Sequence, residues 1–344
     1  MTKATESIPS TDKSINRGLH FLYRIASKPE GFDSYGSLLV CCFALISATS
    51  RDVSLRQLAR ARAQKLAQRW RRLHSVIPTD APTELILDFI FVCYALKRLG
   101  VRNFVSNAQI RATVERCSVE DLLGFDPVSE PPPNDLPYPC DCGLKNQRGR
   151  TFCKQCRKRL ERQSRYRVWM EALANTYVGG QCGILFGAQY RDVLKWLPAM
   201  RPYPVGAEKD VEILRDAIYA VTHIVYTLND YSTYCLRPDW LRPEVAFLKA
   251  NVASACAKKD PEVVGELLDS LKAFGLRATH PLIIRGTKFL LAQQNDDGSW
   301  GDPEENIRTR CHTTWTAIDG LRTHTWRGGR LIRHELKSIL GGGP

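Results

Sequence analysis

Residues 285–301 read RGTKFLLAQQNDDGSWG, and this stretch decides the fold class. Its first ten residues carry apolar side chains at helical spacing. Asn295, Asp296, Asp297 and Gly298 then interrupt the pattern, and Trp300 follows. Asn, Asp and Gly supply the backbone conformations of a tight reversal. The expected local structure is a helix ending at Gln294, a tight turn over Asn295 to Gly298, and a second helix over 312–323 that begins at His312. Gln294 and Trp300 are placed to brace the turn against that second helix.

Outward from this stretch the chain repeats one theme, helix and short connection. Over 53–73, Leu55, Leu58, Leu66, Trp70 and Leu73 fall on one side and the arginines elsewhere, which is a helix with a basic outer face. Residues 83–99 follow a Pro-Thr-Glu start signal and stop before Gly100. Further helical patterns cover 161–177, 209–230, 243–257, 261–274 and 281–294, several opening on proline, whose fixed φ suits a first turn. No stretch sustains a period of two, so no sheet is expected. The longest apolar run, 37–48, is too short for a bilayer and reads as a buried core helix, so no transmembrane segment is expected. Residues 1–15 are polar and lack the apolar region of a secretory signal. They read as a disordered tail on a cytoplasmic protein.

The composition is globular: of 344 residues 44% are hydrophobic and 25% charged, which excludes a wholly disordered chain, a collagen-like fibre and a minimal disulfide knot. Cys41, Cys42, Cys93, Cys117, Cys182, Cys235 and Cys256 lie in apolar stretches and read as buried reduced thiols. The net charge of +13 is concentrated in two segments, 51–72 at +7 and 144–167 at +9, so the rest is slightly acidic. A polyanion would meet those two patches, and weak, nonspecific nucleic-acid binding is expected of them.

The proline-rich stretch 126–138 leads into YPCDCGLKNQRGRTFCKQC, where Cys140-x-Cys142 and Cys153-x-x-Cys156 are separated by ten residues. Two tight turns that each offer two thiolates suit tetrahedral zinc, and residues 126–160 read as a linker plus a small zinc module with a structural role. The segment resembles the Ran-binding-protein type of zinc finger, which has an aromatic two residues before the first cysteine and an asparagine four after the second. Tyr138, Asn146, Cys153 and Cys156 match, whereas the Cys140-x-Cys142 spacing is shorter than the family's. The resemblance implies binding of single-stranded RNA or protein, with Arg148, Arg150, Lys154 and Arg157 as phosphate contacts.

The opening stretch resembles the QW repeat of the terpene cyclase family through Arg285, Gly286, Phe289, Leu290, Gln294, Gly298 and Trp300. The resemblance implies an α/α toroid, a ring of inner and outer helices that also serves protein prenyltransferases, thioester-containing complement domains and lanthipeptide cyclases. The Asp-x-Asp-Asp acid motif of class II terpene cyclases is absent from the chain. Cys311 lies near a zinc-ligand position of prenyltransferases, but Thr309 stands where those enzymes carry aspartate.

One helix adds candidate chemistry. Within 209–230, Asp216, Tyr219, His223, Tyr226 and Asp230 are spaced three, four, three and four apart and share a face. Leu214, Ala217, Val221, Ile224, Val225 and Leu228 occupy the others. The stripe holds no Lys, Glu or Gln, the usual residues of a solvated face, and reads as the lining of a polar lumen. Tyr and His move protons or bind metal near neutral pH. His312 and Asp297 are expected to approach the same lumen, giving a set from which a second metal of the facial-triad kind could be held, although a lone core histidine is the alternative for His312.

Together these features point to an all-α fold, a single toroid assembled from residues 16–125 and 161–340 with a zinc module between them. The expected function is an enzyme acting on a small or apolar, isoprenoid or natural-product substrate. A metal-dependent oxidase using His223 and His312, and an RNA- or protein-binding factor using the finger and the basic helix, are the alternatives.

Overall fold

The computed structural model describes residues 10–101, 105, 107–204, 211–330 and 338–340. Over these residues the chain is all-α, and strand-like pairing is confined to isolated bridges such as Pro137–Arg162 and Phe152–Arg159. The helices are, in order, α1 (Thr11–Ser27), α2 (Pro29–Thr49), α3 (Val53–Leu73), α4 (Thr83–Leu99), α5 (Asn107–Val114), α6 (Val119–Leu123) and α7 (Arg165–Cys182). There follow α8 (Tyr190–Leu194), α9 (Leu197–Met200), α10 (Val211–Leu228), α11 (Arg242–Ala257), α12 (Pro261–Ala273), α13 (Pro281–Ala292) and α14 (Ile307–Leu321).

Helices α3 and α4 match the sequence patterns end for end, and the other ends differ for local reasons. Helix α1 starts inside the stretch read as a tail, because Ser10 Oγ accepts from Lys13 N as an N-cap and Ile15, Leu19 and Leu22 are buried. Residues 1–9 of that tail, and Lys209 and Asp210 of the 209–230 pattern, lie outside the described residues. Helix α7 starts at Arg165 because Leu160 N donates to Thr151 O and Gln163 N to Leu136 O, tying 160–163 into the cysteine module. Helix α14 starts at Ile307, capped by Asn306, whose side chain accepts from Thr309 N. His312 therefore sits in its second turn and not at its start.

The chain divides into two compact units, Met1–Ser75 with Phe91–Phe104 and Leu228–Leu331, and Val76–Ile90 with Val105–Thr227 and Ile332–Pro344. In the first unit α2 is the apolar core helix, with Phe32, Leu39, Val40, Phe43, Ala44 and Ile46 at no more than 1% exposure. It extends well beyond the 37–48 run. At 21 residues, with a mean hydropathy of 1.5 over its most apolar window, it is long and apolar enough to cross a membrane, yet 61% of that window is buried within the protein.

Several cations of α3 are used inside this unit. Arg60 donates to Leu99 O at 2.8 Å, Arg62 to Leu19 O at 2.8 Å and Arg69 to Ala26 O at 3.0 Å. Arg62 also lies 4.8 Å over the Tyr23 ring and Arg69 4.4 Å over Phe32. Positive charge at the carbonyl ends of α1 and α4 opposes their negative poles. Lys272 does the same for α14, its Nζ donating to Asp319 O (2.8 Å), Gly320 O (3.0 Å) and Arg322 O (2.7 Å).

The 285–301 stretch forms a helix and turn, and its brace reaches the chain's first helix as well as α14. Gln294 Nε2 donates to Gly298 O and to Ser14 O of α1, while Trp300, fully buried, donates from Nε1 to Leu290 O at 2.7 Å and from its backbone N to Thr314 Oγ1 of α14. Gly298 has φ +91°, and a Cβ there would stand 2.7 Å from Arg17 O. Only glycine fits that turn.

The second unit is organised by α7, whose Trp169 is fully buried and donates to Val193 O, and by most of α10, where Ala217, Val221, Ile224 and Val225 are all at 0% exposure. It also holds the cysteine module.

Candidate functional site

The four clustered cysteines come together. Cys140 Sγ lies 3.3 Å from Cys156 Sγ, Cys142 Sγ lies 3.6 Å from Cys153 Sγ, and all four sulfurs are within 4.8 Å of one another. Sulfurs about 2.3 Å from one tetrahedral ion stand roughly 3.8 Å apart, so this set can hold such a metal. Two knuckles build it. Gly143 N donates to Cys140 O at 2.7 Å, and Cys153 N pairs with Lys158 O at 2.8 Å while Arg157, at φ +64°, turns the chain. Asn146 is buried and its Oδ1 accepts from Lys154 N at 2.9 Å, joining the first knuckle to the second. The backbone N–H of Cys156, with Asn146 assisting, lowers the Cys153 thiol to about 6, whereas Cys140, despite the Cys142 backbone N–H, is pushed up to about 12 by the Cys156 sulfur beside it.

Two of the module's cations are paired. Arg148 bonds Glu130 and Asp135, and Lys158 bonds Asp141. Arg150, Lys154, Arg157 and Arg159 are exposed around Phe152, itself 55% exposed on the second knuckle.

The stripe on α10 is withdrawn from solvent. Asp216 is 8% and Tyr219 5% exposed, and His223 and Tyr226 are half-buried. Burial pushes the Asp216 carboxyl up, against a 2.8 Å hydrogen bond from Ser164 and the nearby Arg167 charge. Arg215 Nε donates to Tyr219 Oη at 2.9 Å. His223 Nδ1 lies 2.8 Å from Tyr219 O, and a carbonyl only accepts, so the proton sits on Nδ1 and the lone pair on Nε2. The His223 and Tyr226 rings meet edge to face at 5.4 Å.

Asp230, past the end of α10 and in the first unit, has a different setting. Tyr94 Oη donates to its Oδ1 at 2.8 Å and Arg98 to its Oδ2 at 2.7 Å. These bonds hold a turn in which Asp230, Tyr231 and Ser232 all have positive φ, an arrangement non-glycine residues adopt only under constraint. Asp297, also in the first unit, is engaged by its own turn. Its Oδ1 accepts from Ser299 N and Oγ, and Arg310 donates to Oδ2 at 2.6 Å. Burial opposes its charge, but these partners hold the carboxyl below the usual range. It borders an open cleft of about 570 Å³ with Lys13, Asn16, Arg17, His20 and Arg24.

His312 faces a carboxylate that the sequence analysis did not single out. Its Nδ1 lies 2.8 Å from Glu262 Oε1, and Thr313 Oγ1 donates to Glu262 Oε2 at 3.1 Å. Glu262, Glu266 and Asp269 are 7%, 1% and 2% exposed and form a second polar stripe, on a helix whose other residues are almost wholly apolar. Their spacing of four and three within PEVVGELLDSLKA was the available signal. Further along α12, Asp269 accepts from Ser232 Oγ and lies 3.0 Å from His324 Nε2. The stripes of α10 and α12 belong to different units, apart from Asp230, which lies with α12 in the first.

No family model, no curated protein and no solved structure matches the chain.

Proposed function

We propose that the chain is an enzyme of α/α toroid type that acts on a small or apolar substrate by acid/base or metal-assisted chemistry, with zinc held structurally by Cys140, Cys142, Cys153 and Cys156. The observation that carries this reading is the stripe Asp216, Tyr219, His223 and Tyr226, withdrawn from solvent on a helix whose opposite face is fully buried. Polar groups in such a place need partners or a task to offset burial. The Tyr219 carbonyl fixes the tautomer of the His223 imidazole, and Tyr226 lies beside it. The QW-like brace around Gln294 and Trp300 supports the toroid and, through the resemblance, an isoprenoid or natural-product substrate. The test is ligand-induced thermal stabilisation by farnesol and farnesyl diphosphate. The expected result is a rise in Tm with either probe that disappears in His223→Ala and Tyr226→Phe. No rise with either, or one that both variants keep, counts against the reading. Metal analysis separates the oxidative alternative: a second bound metal, lost in His223→Ala, would favour metal-dependent oxidation.

A second reading, a single-stranded RNA-binding factor, is favoured by Phe152. A ring 55% exposed among Arg150, Lys154, Arg157 and Arg159 offers one stacking face with cations around it. Phe152→Ala would weaken binding of a single-stranded oligonucleotide more than it weakens binding of a duplex.

A further inference from the structure

We propose that the cleft between α1 and the turn at 295–298 binds a phosphomonoester of a polyhydroxylated compound, of the sugar phosphate kind. Lys13, His20 and Arg24 take the phosphate, and Asn16 and Asp296 take the hydroxyls. The site lies within the first unit, shares no residue with the α10 stripe and goes beyond the enzymatic reading above.

The two walls of the cleft are held together by direct bonds. Arg17 of α1 donates to Gln294 Oε1 at 3.3 Å, to Asn295 O at 2.9 Å and to Asp296 O at 2.8 Å. Gln294 Nε2 returns a bond to Ser14 O at 2.8 Å, and the turn lies so close at Gly298 that a Cβ there would strike Arg17 O. A site whose walls are already fixed loses little freedom on binding. Its volume of about 570 Å³ suits a small molecule.

The lining carries more positive than negative charge. Lys13, Arg17, His20 and Arg24 are spaced four, three and four apart on one face of α1. The partners of Arg17 are carbonyl oxygens, which leave its charge uncancelled. Among the described residues no ion pair engages Lys13 or His20, and the one at Arg24 is long, 3.9 Å to Asp297 Oδ2. That oxygen already accepts from Arg310 at 2.6 Å, and Ser299 occupies Oδ1, so Asp297 does not tie up the cations of the cleft. Asp296 is exposed and is the remaining carboxylate of the lining. A phosphomonoester matches the excess: near neutral pH it carries roughly two negative charges and offers three acceptor oxygens, enough for the ammonium, an imidazole N–H and the guanidinium together. A carboxylate brings a single charge and fewer oxygens. Asp296 and Asn16 then specify the rest of the ligand. A hydroxyl both donates to the Asp296 carboxylate and accepts from the Asn16 amide, whereas an ammonium only donates.

Isothermal titration calorimetry of the full chain with glucose 6-phosphate and with cyclohexyl phosphate tests this. Glucose 6-phosphate is expected to bind, and its affinity to fall about tenfold in Lys13→Ala and again in Arg24→Ala, each losing one charge-assisted hydrogen bond. Lys65→Ala, which removes an exposed cation of α3, is expected to keep the wild-type affinity. Asp296→Asn should weaken glucose 6-phosphate and strengthen cyclohexyl phosphate, whose ring has no hydroxyl to donate and which the carboxylate only repels. Urea midpoints check that each variant is folded. No binding of glucose 6-phosphate, an affinity that Lys13→Ala and Arg24→Ala both keep, or an equal loss in Lys65→Ala overturns the phosphate site. Cyclohexyl phosphate binding as tightly as glucose 6-phosphate, or Asp296→Asn shifting both probes alike, overturns the hydroxyl assignment.

Discussion

Gly265 of α12 and Gly320 of α14 meet backbone to backbone. A Cβ on Gly265 would stand 2.4 Å from Thr316 O, and one on Gly320 would stand 2.8 Å from Gly265 Cα. This crossing sets the register of two helices that run parallel, as their other contacts show. One turn before it Glu262 reaches His312 and Thr313, and beyond it Lys272 reaches the last carbonyls of α14. The absence of two side chains thus positions a carboxylate on a histidine and an ammonium on a helix end.

Replacing Gly265 with alanine should destabilise the fold by about 3 kcal/mol, at the upper end of overpacking costs, because the obstructing atoms are backbone and cannot rotate away. Urea unfolding of Gly265→Ala would read this as a lower midpoint. Gly180→Ala in α7, a helical position where a Cβ meets nothing within 4 Å, controls for the ordinary effect of replacing a helical glycine with alanine. Equal midpoints in the two variants would contradict the crossing.

The cysteine cluster makes a compositional prediction. Thiolate ligation has no preformed counterpart in the unfolded chain, so metal binding and local folding are coupled. Purified protein should carry one zinc, and Cys153→Ser with Cys156→Ser should lose about one equivalent by elemental analysis. Zinc content unchanged by that pair of substitutions would rule out the site.

The sequence made the all-α class legible because start and stop signals are local, so α3 and α4 keep the ends the pattern gives them, although Leu58 and Leu73, read as part of the apolar face of α3, are exposed. It made the four cysteines legible because metal spacing is local too. What it concealed is of one kind. Arg60, Arg62 and Arg69 read as a basic outer face, yet each turns to a carbonyl far away in the chain. Asp297 reads as a lumen candidate, yet Ser299 and Arg310 occupy its oxygens. Glu262 passes unnoticed because a single glutamate near the start of a helix looks like a favourable first-turn charge, and only the crossing with α14 brings it to His312. Local spacing shows which residues share a face, while long-range packing decides what that face meets.

A buried charged group in the first unit predicts how stability depends on pH. Burial, aided by the Arg322 charge, pushes His324 down to about 3 from an ordinary 6.5. Burial opposes the charge on Asp269, but His324 beside it, with Lys272 and Arg322, holds its carboxyl at about 2, below an ordinary 3.8. Both shifts act in one direction. Below pH 6.5 the unfolded chain takes a proton on His324 that the folded chain refuses until about pH 3, and Asp269 repeats this between 3.8 and about 2. Stability should therefore fall as pH drops from 7 to 4, and His324→Gln should flatten that slope. Urea midpoints across this range measure it, and an unaltered slope in a folded variant would assign the effect to other groups. Lys272, which burial lowers to about 8 from 10.5, acts in the alkaline window: the unfolded chain holds the extra proton there, so stability should rise between pH 8 and 10.5.

Six of the seven cations of α3 divide into two sets that mutation should separate. Arg60, Arg62 and Arg69 bond helix-terminal or mid-helix carbonyls, and two of them lie over aromatic rings, so Arg69→Ala should cost about 1 kcal/mol through lost capping and packing. Lys65, Arg71 and Arg72 are exposed and keep their charges for solvent or a polyanion, so replacing all three with alanine should leave the urea midpoint within about 0.5 kcal/mol of wild type. Any nucleic-acid binding through this helix should weaken with that triple variant and fade steeply with salt, since each phosphate contact releases counterions. Duplex and single-stranded oligonucleotides at two salt concentrations provide the measurement. If Arg69→Ala abolished binding while leaving stability intact, and the triple variant did neither, the division between capping and free cations would be reversed.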